Sequence, residues 1–260
     1  LRSLSVPAAL ILIFILLITL SVPEGCIFGS HVDWLSQHAA LAETIRNACP
    51  EQGTILPSWL ELGGGSNGYM FSYYGFLRPD ILIGCLLPQV PMIRILTACM
   101  LAVYLASVLL CDCFLRTEDI AVPFAFGGSV LFMTAGCMFH MHRQVMFVSY
   151  MPFLLLAFLC IRRKRLRWLP LCLCLIWLHS FYYIIGVLAA VGWYWLSVEG
   201  RDFRRKYFLK GFVSSTVLSA GMAAALLIPT GLVILEHRRS GSSPFLPELF
   251  GPNVAFNNLL

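Results

Sequence analysis

A succession of long apolar runs, each near the length that a bilayer demands, constrains this chain more than any other feature. A helix needs about 20 mostly apolar residues to cross the hydrocarbon core. Val6–Val22, Met92–Leu115, Ile120–Phe139, Val145–Ile161, Trp168–Val198 and Tyr207–Leu235 all approach or exceed that length. Composition agrees, with 59% apolar and 12% charged residues, against about 45–50% and about 25% in soluble domains. Such a chain is neither a soluble globular domain nor a disordered one. Its net charge of +5 does not signal nucleic acid, because the basic residues fall in short clusters between apolar runs. The expected partner is membrane lipid, not nucleic acid.

Val6–Val22 is read as a retained first helix over 1–22. Ser21-Val-Pro-Glu-Gly25 is no small-x-small cleavage site, and more spans follow. Residues 23–91 form an outer loop containing a short apolar stretch, Ile81–Pro88, that is re-entrant or interfacial. Trp168–Val198 is too long for one ordinary helix and is expected to turn near His179. That gives six further spans over 92–235 and an outer tail over 236–260. The split also puts both dense basic clusters, 162–167 and 201–210, on one side. Inner segments then hold 12 Lys and Arg and outer segments six, which places the amino terminus in the cytoplasm of a multi-pass cell-membrane protein. The expected fold is all-α and polytopic, with about seven transmembrane helices and a helical outer loop. Eight of the ten cysteines lie in or beside apolar runs and read as small hydrophobes. Cys26 and Cys49 are the two candidates for a disulfide.

The outer loop carries most of the polar chemistry. Val32, Leu35, Ala39, Ala42 and Ile45 recur at helical spacing, so His31–Ala48 is predicted to be an amphipathic helix lying on the membrane surface and ending at Pro50. Asp33 and Gln37 are one turn apart and share a face. Asp33 also reads simply as an N-terminal carboxylate favoured by the helix dipole. Gly63-Gly-Gly65 matches neither a nucleotide loop nor a dinucleotide fingerprint, so a turn explains it. The aromatics of Tyr69–Gly75 suit a membrane interface, and Arg78 can meet an anionic headgroup. His140-Met-His-Arg-Gln144 puts two histidines at i and i+2 with no third ligand in view, so no metal site is expected. The sequence names no cofactor.

Gly29-Ser-His-Val-Asp-Trp-Leu-Ser-Gln-His38 follows a first apolar helix. Leu56-Pro-Ser-Trp59, Gly63-Gly-Gly-Ser-Asn67, Phe71-Ser-Tyr-Tyr-Gly75, Arg78-Pro-Asp80 and Ser180-Phe-Tyr-Tyr183 come after it in order. Over roughly residues 20 to 200 this series resembles the amino-terminal part of the YfhO-like family of bacterial membrane proteins. The resemblance implies a polytopic glycosyltransferase of the GT-C architecture. Such an enzyme takes sugar from a polyprenyl-phosphate donor to a cell-envelope glycopolymer or lipid acceptor outside the cytoplasm. It also implies a longer protein, of which this chain looks like an amino-terminal piece with a weakly anchored tail. An acidic residue just after the first helix is then the expected catalytic base. Asp33 is that residue, with Asp80 as the second carboxylate candidate. Gln37, His38, Asn67, Tyr74, Arg78, His140, Arg143 and His179 form the expected substrate-binding set. Asp33 is expected at a cavity within reach of Arg78, Asp80 or His140.

Two other readings compete. A transporter or flippase for lipid-linked sugars would place ionisable groups near the bilayer midplane, whereas here the polar groups crowd the outer loop. A non-catalytic assembly subunit is the third reading.

Overall fold

The computed structural model describes residues 2–30, 33–145, 147–199 and 205–236. Helix dominates. Among the described residues, strand is confined to the antiparallel pair β1 (Trp59–Leu60) and β2 (Ser66–Asn67). Helix α1 (Arg2–Ser21) carries the first apolar run, and α4 (Met92–Thr117) the second. With 26 residues, α4 is about 39 Å long at 1.5 Å per residue. It starts after Pro91, where a missing N–H costs nothing at a helix start. Around it lie α5 (Val122–Thr134), α6 (Gly136–Phe139), α7 (Met151–Arg162), α8 (Leu169–Ser180), α9 (Ile184–Glu199), α10 (Arg205–Met222) and α11 (Ala224–Glu236).

The long apolar run turns back on itself. Ser180 leaves helical space at φ −163° and ψ 64°, and a 3-10 turn over Phe181–Tyr183 follows. The Tyr183 ring then stacks 6.0 Å from Tyr150 at the start of α7. Further along α9, Tyr194 sits 4.6 Å from Phe158 near the end of α7. A straight continuation of α8 would carry Tyr194 away from α7 at 1.5 Å per residue. So α8 and α9 are antiparallel arms, packed with α7 around Leu173, Ile176, Val187, Val191 and Trp195.

Among the described residues, length and composition give two to four candidate crossings where seven were expected: Met92–Thr117 and the run Leu166–Glu199, and up to four if each bent pair counts as one span. The run expected over Ile120–Phe139 bends by 54° between α5 and the following helix, where Ala135 is extended at ψ 131°. The last expected span breaks by 80° between α10 and α11. The fourth begins only at Met151, so its helix has 12 residues. Packing explains the largest break. Helix α10 stays against α8, with Trp177 Nε1 donating to Ser219 Oγ at 3.2 Å. Helix α11 instead crosses onto the loop, where Thr230 Oγ1 donates to Ser72 Oγ at 2.9 Å.

The loop helix is where sequence and structure differ most. A π-helix spans Trp34–Ala39, followed by α2 (Ala40–Gln52). Ala39, Ala42 and Ile45 are buried as the spacing predicts, but Leu35 is 65% exposed and Trp34 and His38 are buried instead. The π-helix explains this. His38 N donates to Asp33 O, an i to i−5 bond, and the wider turn rotates Leu35 outward. His31 and Val32 lie outside the described residues. The helix also runs through Pro50 to Gln52, and Gly53 ends it in the left-handed conformation at φ 62°. Its buried face packs into the protein's own core. Trp34, Ile45, Leu60, Phe76, Ile81, Met92, Leu96 and Leu226 form one core, each large apolar side chain contributing roughly 1.5–3 kcal/mol. Glu43 joins the loop to α4 by accepting from Met92 N at 3.2 Å. Its neighbour Arg46 donates to Val90 O at 2.6 Å. Cys26 and Cys49 are both free thiols, Cys26 exposed and Cys49 buried beside Cys85. Burial and Cys85 push the Cys49 thiol up. The tail 237–260 lies outside the described residues.

Candidate functional site at the loop end of the bundle

The loop builds the site from two short segments. In the first, the π-helix presents Asp33, Gln37 and His38 along one side. Gln37 Nε2 donates to Asp33 Oδ1 at 2.8 Å, and the Tyr74 hydroxyl donates to Gln37 Oε1. Asp33 is half-buried, and Gln37 fixes its Oδ1. In the second segment, the turn Gly75–Arg78 leads into α3 (Pro79–Leu86). Arg78 caps α3, and Asp80 occupies its first turn, where the helix dipole favours a carboxylate. Arg78 Nε and Nη2 fork onto Asp80 Oδ1 and Oδ2 at 2.7 and 2.6 Å. The two side chains are only 1% and 2% exposed. Gly75 allows this close fit, since a Cβ there would fall 2.7 Å from Ile81 Cγ1.

His38 packs between these segments. Its ring lies 5.6 Å from Tyr74. Burial, and secondarily the Arg78 cation, lower its pKa to about 4, while Asp33 and Asp80 partly oppose them. It is therefore neutral at pH 7. His179 reaches the same end from α8. It is buried against Phe153 at 4.7 Å, its Nδ1 bonds Leu175 O at 2.9 Å, and Asp80 and Arg78 lie within electrostatic range. Trp34 Nε1, His38 Nδ1 and Arg78 Nη1 are buried and have no hydrogen-bond partner among the described residues. Unmet buried nitrogens of this kind cost roughly 1–3 kcal/mol each unless water or a ligand meets them.

Beside the Asp33 turn lies a cavity of about 430 Å³, within the size range of small-molecule sites. Val22, Phe28, Phe139 and Trp34 make its walls apolar, and Arg143 brings a cation to it. Arg143 Nε donates to Gly29 O at 2.8 Å, which ties the 23–30 segment to the end of α6. Asp33 itself does not line the cavity, but its neighbours Trp34 and Leu35 do.

Asp33, Gln37, His38, Tyr74, Arg78, Asp80 and His179 therefore gather at one end of the bundle, with Arg143 at the adjoining cavity. Two expected residues take other places. Asn67 caps a 3-10 turn, accepting from Tyr69 N at 3.0 Å, which is a structural task. His140 is exposed, its ring edge-on to Phe139 at 5.3 Å. The neighbouring His142 is the buried one, stacked 4.2 Å from Tyr104 with Nδ1 bonded to Met138 O at 2.7 Å. The sequence offered no signal separating these two histidines beyond the i to i−4 spacing of His142 from Met138. Among the described residues, no three His, Cys, Asp or Glu side chains converge as metal ligands.

Residues 3–258 match the family described as bacterial membrane protein YfhO. The chain belongs to the YfhO family. Among curated proteins and among solved structures, nothing matches it. Like the family it belongs to, it is a membrane protein, and its apolar helices α4, α8 and α9 are the parts that suit a bilayer. For this YfhO-family chain, the polar groups just described are the place to look for chemistry.

Proposed function

We propose that this protein is a membrane glycosyltransferase of GT-C type. It moves a sugar from a polyprenyl-phosphate donor to a cell-envelope glycopolymer or lipid acceptor, at the extracytoplasmic face, with its amino terminus in the cytoplasm. One observation carries the reading: a half-buried carboxylate, Asp33, oriented by Gln37 and Tyr74, next to an apolar cavity with Arg143 in its wall. A lipid phosphate needs just this mixture, apolar for the chain and cationic for the phosphate.

In the proposed step the acceptor hydroxyl oxygen attacks the anomeric carbon of the donor sugar. A new carbon–oxygen bond forms as the sugar–phosphate bond breaks. The electron pair of the broken bond leaves on polyprenyl phosphate, and the acceptor proton passes to Asp33. The anomeric configuration inverts. Arg143 is the better phosphate partner of the two arginine candidates. Arg78 is already forked onto Asp80 and almost fully buried, whereas Arg143 faces the cavity. By the same argument Asp80 is a positioning residue, because both its oxygens are taken by Arg78, and Asp33 is the base.

Sugar transfer from a radiolabelled polyprenyl-phosphate sugar, by the full-length protein in liposomes, tests the proposal. A positioned base contributes about 10²–10⁴-fold, so Asp33→Asn is expected to lose at least about a hundredfold in turnover. Near-normal turnover in that variant would remove Asp33 from the mechanism.

A further inference from the structure

A second polar cleft, of about 520 Å³, opens on the other side of α2. Thr44, Asn47 and Glu51 fall at spacings of three and four and form one wall. Gln52, Trp59 and Glu61 form the other. Trp59 is 53% exposed, and an indole that combines an apolar face with an N–H suits a surface that is partly wet. Its ring is nevertheless held in place. A Cβ on Gly65 would fall 1.7 Å from Trp59 Cζ2, so the indole rests directly on the backbone of the Gly63–Gly65 turn. All three glycines have positive φ, from 59° to 109°, a conformation that side chains resist. Gln52 fixes the backbone beneath, donating to Trp59 O at 2.6 Å and accepting from Ser58 N at 3.0 Å. The triple glycine thus serves as the backing of an aromatic platform.

We infer that this cleft binds a pyranose unit of the acceptor glycan, stacked on Trp59 with its hydroxyls bonded to Asn47, Glu51 and Glu61. The aliphatic C–H face of a pyranose ring carries partial positive charge and suits the negative face of an indole. Carboxylates and amides accept and donate to vicinal hydroxyls. Among the described residues, no basic side chain lines the cleft and two carboxylates do, so it selects neutral or amino-bearing sugars and repels polyanionic ones. The helical path from Asp33 to Asn47 covers roughly 20 Å, which makes this a distal subsite for a chain several sugars long. The acceptor role rests on the transferase reading above; the sugar binding itself does not.

Full-length protein in nanodiscs, titrated with cellotetraose and separately with tetragalacturonate, and followed by tryptophan fluorescence, tests the inference without any donor. Cellotetraose is expected to bind, with affinity falling about tenfold or more in Trp59→Ala, and tetragalacturonate is expected to bind far more weakly. Glu51→Gln/Glu61→Gln changes only exposed side chains, so it guards against misfolding, and it should narrow the gap between the two probes. Absence of cellotetraose binding, binding unchanged in Trp59→Ala, or equal binding of both probes would overturn the inference. Cellotetraose binding in a protein that transfers no sugar would leave the cleft intact and remove the transferase reading instead.

Discussion

The two ends of α4 carry the same kinds of residue in opposite settings. At the end near Met92, Arg78 and Asp80 are 1% and 2% exposed, and the surrounding histidines are buried. At the end near Thr117, Arg162 meets Glu118 at 3.3 Å and Asp119 at 3.6 Å, with Glu118 28% and Asp119 92% exposed. Arg167 and Lys210, from the two basic clusters, line one cavity at that same end. Exposed pairs of this sort contribute about 0–1 kcal/mol. They mark a solvated, basic face and say little about chemistry. Buried charges are expensive unless fully paired, so the loop end keeps its set either to lock the loop or to act on a substrate. Asp112 is the exception at the basic end, being 1% exposed while its partner Arg116 is 32% exposed.

Substitutions can break that comparison, beginning with the largest effect. Asp80→Ala leaves the Arg78 guanidinium buried without a partner, and is expected to cost about 3–5 kcal/mol, read as a large drop in melting temperature in detergent. A melting point close to the unaltered protein would mean that the loop end is no more locked than the basic end. The second effect is pH dependence through His38. Its folded pKa of about 4 lies below the unfolded value near 6.5. The unfolded chain therefore binds more protons between those values, and stability is full above pH 6.5 and falls as pH drops toward 4. The loss is at most on the order of 3 kcal/mol. His38→Gln should flatten that slope between pH 7 and pH 4.5, and an unchanged slope would contradict it. Smaller still, Thr230→Val removes the bond that holds α11 on the loop and should cost roughly 0.5–1.5 kcal/mol, with faster amide exchange around Ser72. At the other end, Glu118→Gln should shift melting by no more than about 1 kcal/mol.

Much of the helical content was legible because the apolar runs are long and almost free of charge. The turn near His179 followed from the length of the run and from the need to keep both basic clusters on one side. The bends between α5 and α6 and between α10 and α11 were not legible. Nothing in Ala135 or Ala223 signals a break; the contacts of α11 with Ser72, distant in sequence, decide it. In the loop, Ala39, Ala42 and Ile45 obeyed the helical period, but the π-helix shifted its phase and exchanged Leu35 for Trp34 and His38. A one-residue bulge leaves no mark in composition. The Asp33 and Gln37 pairing was readable as an i, i+4 contact and is present at 2.8 Å. The Arg78–Asp80 fork was not, because residues two apart face each other only when a turn and a helix start lie between them.

The two loop carboxylates are proposed to have different jobs: Asp33 takes the proton and Asp80 holds Arg78. Asp33→Asn and Asp80→Asn, compared for turnover per folded molecule and for melting temperature in full-length protein, test it directly. Asp33→Asn is expected to lose at least about a hundredfold in turnover and to melt almost normally, while Asp80→Asn is expected to melt far earlier but to retain turnover in its folded fraction. The reverse pattern, turnover kept in Asp33→Asn and lost in well-folded Asp80→Asn, would contradict it.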